Sequence, residues 1–173
     1  MRLRERLRWV VPTAVTLVVM LAGTSVAAVS AADHGGGARF LVTATFKATV
    51  GGFEACGIRV TVAGTATGTH VGAGTWTHSE CIDPFSQAPK VHVVGEGVLV
   101  ASNGDLLVID FDALADLPDP GTGEIHPRGT YTIVDGTGRF AGATGNGSLV
   151  VDGIVGQTET AVLDGTIRLG DAE

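Results

Sequence analysis

The chain alternates apolar and polar residues in short runs from residue 40 almost to its end. Between Phe40 and Val50 every second residue is apolar, and most residues between them are threonine. A period of two is the signature of a β-strand with one buried face. No segment shows the sustained period of an amphipathic helix, so the pattern predicts an all-β chain. Eight strands are predicted, at residues 40–50, 58–62, 69–78, 91–100, 106–111, 128–134, 147–155 and 158–169.

The connections between these runs are short. Asn103-Gly104 stands between two apolar runs, which is the strongest short signal for a β-hairpin. Pro118 and Pro120 limit any helix in residues 112–120 to one turn. About eight antiparallel strands form a sandwich or a closed barrel. Glycines inside the strands favour strong coiling and hence closure; they include Gly64, Gly95, Gly97 and Gly165. An eight-stranded barrel is filled by side chains or holds one small ligand.

Residues 136–145 read Gly-Thr-Gly-Arg-Phe-Ala-Gly-Ala-Thr-Gly and separate two predicted strands. Glycine allows sharp bends and positive φ, so we predict that Gly136, Gly138 and Gly142 serve folding. Phe140 is predicted to enter the core, and Arg139 to pair with a carbonyl or carboxylate near the turn. A dinucleotide loop would need a helix after the glycines, and a strand-like run follows instead.

The block from residue 129 to residue 153 resembles the barrel family of allene oxide cyclases, plant dirigent proteins and related secreted bacterial proteins. In that family a G-x-G-x-F element, here residues 136–140, ends one strand, and a strand of small residues follows. By strand order the resemblance extends over residues 91–169. It implies an eight-stranded, antiparallel, up-and-down β-barrel of calycin-like form. Plant members are often trimers, so it also implies a homo-oligomer. The element is architectural and carries no activity.

The N-terminus has the order of a secretory signal peptide. Four arginines precede residue 9, an apolar stretch covers residues 10–22, and small residues fill 23–32. The apolar stretch is shorter than the roughly 20 residues that a spanning helix needs. We therefore predict a signal peptide at residues 1–32, cleaved after Ala28 or Ala32, and a single secreted barrel domain at residues 33–173. We predict no stable membrane insertion after cleavage.

Charge and cysteine content indicate which partners, cross-links and cofactors to expect. The whole chain has 11 basic and 18 acidic residues, and the predicted signal peptide holds four of the basic residues and one acidic residue. The acidic remainder disfavours nucleic acid as a partner. Cys56 and Cys81 are an even pair in a chain expected to be secreted, so we predict a disulfide between them. No spacing of zinc ligands occurs, so no metal and no cofactor are predicted.

No catalytic motif of the G-x-S-x-G or H-E-x-x-H type is present. We place His70 and His78 on one face of the third strand, too far apart to share a metal. Glu96 and His92 share one face of the fourth strand, and if that face is interior they form a candidate acid–base pair. The acidic residues between 110 and 124 are assigned to a solvated loop. The polar residues predicted inside strands are Arg59, Glu96, Asp110, Tyr131 and Arg168. Any of them that points inward must be paired or functional.

Three functions remain open on the sequence alone. The first is a secreted, disulfide-linked barrel that binds a small apolar molecule. The second is a cyclase or isomerase that holds a reactive substrate in a productive conformation. The third is an extracellular structural or interaction protein with a filled barrel. A cavity would argue against the third, and a buried Glu96 or Asp110 with a raised pKa would favour the second over the first.

Overall fold

The computed structural model describes residues 37–170, and the predicted signal peptide lies outside them. The described chain contains nine strands and one 3-10 turn, Gly138–Phe140, so the all-β prediction is confirmed. The strands are β1 (Ala38–Glu54), β2 (Gly57–Gly68), β3 (Gly72–Asp83), β4 (Val91–Ala101), β5 (Leu106–Ala115), β6 (Glu124–Ile125), β7 (Arg128–Gly136), β8 (Thr144–Ile154) and β9 (Thr158–Arg168).

Eight of these strands close into an antiparallel barrel. Each long strand pairs with the next long strand along the chain, and β9 pairs with both β8 and β1. The two-residue strand β6 pairs with the end of β8. The predicted up-and-down barrel of eight strands is therefore confirmed, with β6 as a short addition.

Several strand boundaries differ from the prediction; β2, for example, continues to Gly68 and β3 to Asp83. Two further differences change where residues of interest lie. The fifth strand does not end at Phe111: β5 continues to Ala115, because Ala113 and Ala115 keep the alternation and face the interior. This extension pairs with the start of β4, where Val91 lies opposite Ala115. The third strand begins later than predicted, because His70 has a φ of 63° and lies in the turn before β3. His70 and His78 therefore do not share a strand.

The two ends of the barrel are packed differently. At one end, large side chains fill the interior to 1% exposure or less; they include Phe40, Leu99, Leu107, Tyr131, Phe140 and Ile167. We call this the closed end. At the opposite end many of the inward residues are small; they include Val60, Val93, Ala113, Ala115 and Ala161. We call this the open end. Since small side chains leave the interior unfilled, space remains only in this half of the barrel among the described residues.

The glycine-rich turn belongs to the closed end. Gly138 has a φ of 57° and Gly142 a φ of 68°, which confirms that this turn needs positive φ. Phe140 is fully buried, as predicted. Arg139 lies over the Phe140 ring and its Nε is 3.5 Å from Asp105 Oδ2 across the barrel end, so its predicted carboxylate partner exists.

Cys56 and Cys81 lie at disulfide bonding distance, with their Cα atoms 5.8 Å apart. Cys56 occupies the turn between β1 and β2, and Cys81 is on the outward face of β3. The link fastens the β1–β2 turn to the wall of the barrel at the open end.

Candidate functional site

A cavity of about 290 Å³ occupies the open end of the barrel. Its walls are almost entirely aliphatic and aromatic, and every barrel strand except β7 contributes to them. The indole of Trp76 lies across Gly97, where an added Cβ would come within 2.3 Å of the ring. Val50, Leu117 and Val155 surround the mouth and are exposed. The arrangement is a pocket with an apolar entrance, apolar walls and an aromatic floor.

Three titratable side chains face this apolar space: His78 and Glu80 on β3, and Glu159 on β9. Trp76, His78, Glu80 and Ile82 follow one another on the inward face of β3, because alternate residues of a strand share a face. Asp116 adds a carboxylate at the mouth, where it is paired with Lys90 at 2.6 Å. No lysine or arginine in the described part of the chain lines the cavity.

One hydrogen bond and one ion-pair contact link the β3 side chains in a row. The Trp76 indole Nε1 donates to His78 Nδ1 at 2.7 Å, and His78 Nε2 lies 3.2 Å from Glu80 Oε2. An indole nitrogen can only donate, so Nδ1 must be the acceptor and the imidazole proton must be on Nε2. The same nitrogen lies within ion-pair distance of the Glu80 carboxylate. The row therefore fixes the tautomer of His78 and places its protonated nitrogen beside an acid.

Aromatic rings hold the His78 imidazole in place. Its centroid lies 5.5 Å from that of Phe46 and 5.2 Å from that of Phe111, and both contacts are edge-on. Such contacts lie within the favourable range for aromatic pairs. His78 is 7% exposed and Glu80 is 16% exposed, so both belong to the cavity wall and not to the outer surface.

Glu159 lies apart from that row. Its residue is 6% exposed, and its carboxyl makes no hydrogen bond or ion pair with any residue from 37 to 170. Gly153 gives it room, because a Cβ there would lie 2.5 Å from Glu159 Cγ. Burial in the apolar cavity, with a smaller contribution from the Glu80 charge, raises the pKa of Glu159 to about 7. An unpartnered carboxyl that exchanges its proton near neutral pH therefore faces the cavity.

The candidate pair Glu96 and His92 is not in the cavity. Both residues are on the outward face of β4, so the condition for that acid–base pair fails. His92 Nε2 contacts Asp112 Oδ1 at 2.9 Å on the outer surface, and Glu96 lies opposite the exposed Asp110. The alternation of residues did not show which face of β4 is inward, because both faces carry apolar residues.

The other polar residues inside strands are distributed between the two sides of the wall. Arg59 is outside and is bound to Glu54 at 2.9 Å, and Arg168 is exposed. Tyr131 is inside the closed end, away from the cavity, and its hydroxyl has no hydrogen-bond partner among the described residues. Burial, with a contribution from Asp164, raises the pKa of Tyr131 to about 12.

The sequence analysis missed the three titratable groups of the cavity, although a signal was present. Glu159 shares the inward face of β9 with Ala161, Leu163 and Ile167, which alternate with polar residues in the sequence. Continuing that alternation by two residues would have reached Glu159. Likewise, the inward Trp76 fixes the faces of His78 and Glu80 on β3.

The described residues show neither a group of three or more metal-ligating side chains nor a helix long and apolar enough to cross a membrane. The chain matches no protein-family model, no curated protein and no solved structure among those compared.

Proposed function

We propose that this protein binds one small molecule, largely apolar, inside the open end of its barrel. The cavity carries this proposal: it has a volume of about 290 Å³, apolar walls and few polar groups. That is near the lower end of the range for ligand pockets, roughly 300–1,000 Å³, and the composition is typical of them. A structural protein with a filled barrel would not need such a space.

A second candidate function is catalysis of a cyclisation or isomerisation in the same cavity. The observation that favours it is Glu159, a buried carboxyl with a pKa of about 7 that faces the same cavity as the His78–Glu80 pair. A general acid or base works best when its pKa is near the operating pH. A buried acid with a raised pKa was the feature that would favour an enzyme, and it is Glu159 that has it, not Glu96 or Asp110.

Secretion and family membership belong to the proposal as well. The Cys56–Cys81 pair supports an oxidising compartment, where a disulfide persists. The closed eight-stranded barrel is the architecture that the resemblance to allene oxide cyclases and dirigent proteins implies. Trimer formation stays a prediction from that resemblance.

Mass spectrometry of small molecules that co-purify with the protein tests the binding function. We expect an apolar molecule in the wild type and none in Ala161→Phe, because Ala161 lines the cavity and a phenyl ring there would fill it. Val98→Phe, which places a phenyl ring on the outward face of β4, is the control and should retain the molecule. A folded wild type that neither retains nor rebinds any apolar molecule would refute the proposal.

To separate catalysis from binding, the recovered molecule is incubated with fresh protein. Recovery of the same compound indicates binding alone. Conversion into an isomer, lost in Glu159→Gln while the variant still binds, would indicate the enzyme.

A further inference from the structure

We propose that the cavity selects organic amines: the ligand carries one protonated amino group, which Glu159 binds, on an apolar body that the walls enclose. This inference rests on the proposed binding function and names its ligand class. It follows from the charges of the cavity and from the one carboxyl there that lacks a partner.

The charged side chains of the cavity are acids. Glu80, Glu159 and the mouth residue Asp116 are carboxylic acids, His78 is the imidazole beside Glu80, and no lysine or arginine of residues 37–170 lines the space. A ligand that carries a carboxylate or phosphate would meet like charge without a counter-ion, which is costly in an apolar surrounding. A positively charged ligand would instead lower the free-energy cost of holding ionised carboxylates in this apolar surrounding.

The acids differ in what they already contact. Glu80 Oε2 lies 3.2 Å from His78 Nε2, and Asp116 is paired with Lys90. The Glu159 carboxyl has no hydrogen bond or ion pair within residues 37–170, although its residue is 94% buried. Its oxygens are not among the fully enclosed polar atoms without a partner, so they are accessible from the cavity and a ligand can reach them. An ammonium group placed at Glu159 supplies both the missing hydrogen bonds and the missing counter-charge.

The aromatic walls suit the same ligand. Phe46, Trp76 and Phe111 line the cavity. Aromatic faces attract organic cations, and the attraction strengthens when water is excluded. The apolar remainder of the ligand then contacts the aliphatic walls and the entrance formed by Val50, Leu117 and Val155.

Three probes of similar shape test the inference by isothermal titration calorimetry: 4-phenylbutylamine, 4-phenylbutan-1-ol and 5-phenylpentanoate. At about pH 8 we expect the amine to bind about 10- to 100-fold more tightly than the alcohol, because a charge-assisted hydrogen bond replaces a neutral one. The carboxylate should bind most weakly. In Glu159→Gln the preference for the amine over the alcohol should disappear while the alcohol still binds.

The same preference should depend on pH. Amine binding needs an ionised Glu159, so it should weaken when the pH falls from about 8 to about 6. The other titratable groups around the site are His78 and Glu80 on β3 and Asp116 at the mouth, whereas β1 and β8 present only uncharged residues to the cavity. The Glu159→Gln variant isolates the contribution of Glu159 from theirs.

Glu96→Gln is the matched control, because it removes a glutamate from the outward face of β4. It should change neither affinity nor pH dependence. Equal binding of the amine and the alcohol to the wild type would overturn the amine inference and leave the binding function intact. Failure of all three probes to bind, in a protein that also yields no co-purified molecule, would overturn both.

Discussion

Trp76 and His78 lie two residues apart on the inward face of β3, and the indole N–H of Trp76 donates to His78 Nδ1 at 2.7 Å. The register of one strand therefore fixes a protonation pattern, since the imidazole must carry its proton on Nε2, the nitrogen that lies 3.2 Å from Glu80 Oε2. A hydrogen-bonded ring nitrogen commonly sets the role of the other in this way. Trp76, on the floor of the cavity, thus determines which ring nitrogen of His78 carries the proton at the cavity wall.

Trp76→Phe should release this tautomer. The variant keeps an aromatic floor but removes the donor to Nδ1, so we expect the ¹⁵N shifts of the His78 ring to move toward a mixture of tautomers. Heteronuclear NMR of the imidazole nitrogens measures the change. His92, on the outer surface, provides the internal reference and should not move. A wild-type spectrum that already shows both tautomers of His78 would contradict the assignment.

Glu159 should make the fold less stable as the pH rises. Its pKa is about 7 in the folded protein against a reference value of 4.5, so the folded state binds the proton more tightly than the unfolded state. The resulting stabilisation is complete below pH 4.5 and is lost as the pH rises to about 7. The loss amounts to at most about 3 kcal/mol.

Urea denaturation of the wild type and of Glu159→Gln across this pH range checks the sign. Because glutamine does not titrate, the difference between the two free energies of unfolding should shift in favour of the variant as the pH rises. Glu96→Gln should follow the wild type. A difference that does not change with pH would show that Glu159 is not held in the protonated form.

Much of the fold could be predicted because the inward and outward faces of most strands differ in polarity. The alternation from Phe40 to Phe46 identifies the buried face of β1 directly, and all four inward residues are buried. On β4 the same reasoning fails, because Val94 and Val98 outside are as apolar as Val93 and Leu99 inside. The cavity itself could not be predicted, since it arises from how small residues on several strands come together at one end.

The Cys56–Cys81 pair should leave no free thiol. Titration of the denatured, unreduced protein should detect none, and two reactive thiols would refute the disulfide. The pair closes a loop across a sequence separation of 25, and such a cross-link stabilises by about 3.5 kcal/mol on the chain-entropy description. A double Cys→Ser variant should therefore unfold at clearly lower urea concentration, by roughly that free energy.

The glycine-rich turn should matter for folding and not for the ligand. Gly138 has a positive φ, and a Cβ there would lie 1.9 Å from Asp105 Oδ1, so Gly138→Val introduces both strain and a clash. Phe140→Ala removes a fully buried ring at the closed end and should cost about 3–5 kcal/mol. Gly52→Val is the matched control, since no atom lies within 4 Å of an added Cβ there. We expect both turn variants to lower the melting temperature while the control does not.

The folded fraction of each turn variant should bind the amine probe with unchanged affinity, because Gly138 and Phe140 do not line the cavity. A variant that melts like the wild type but loses the probe would place the turn in the binding site.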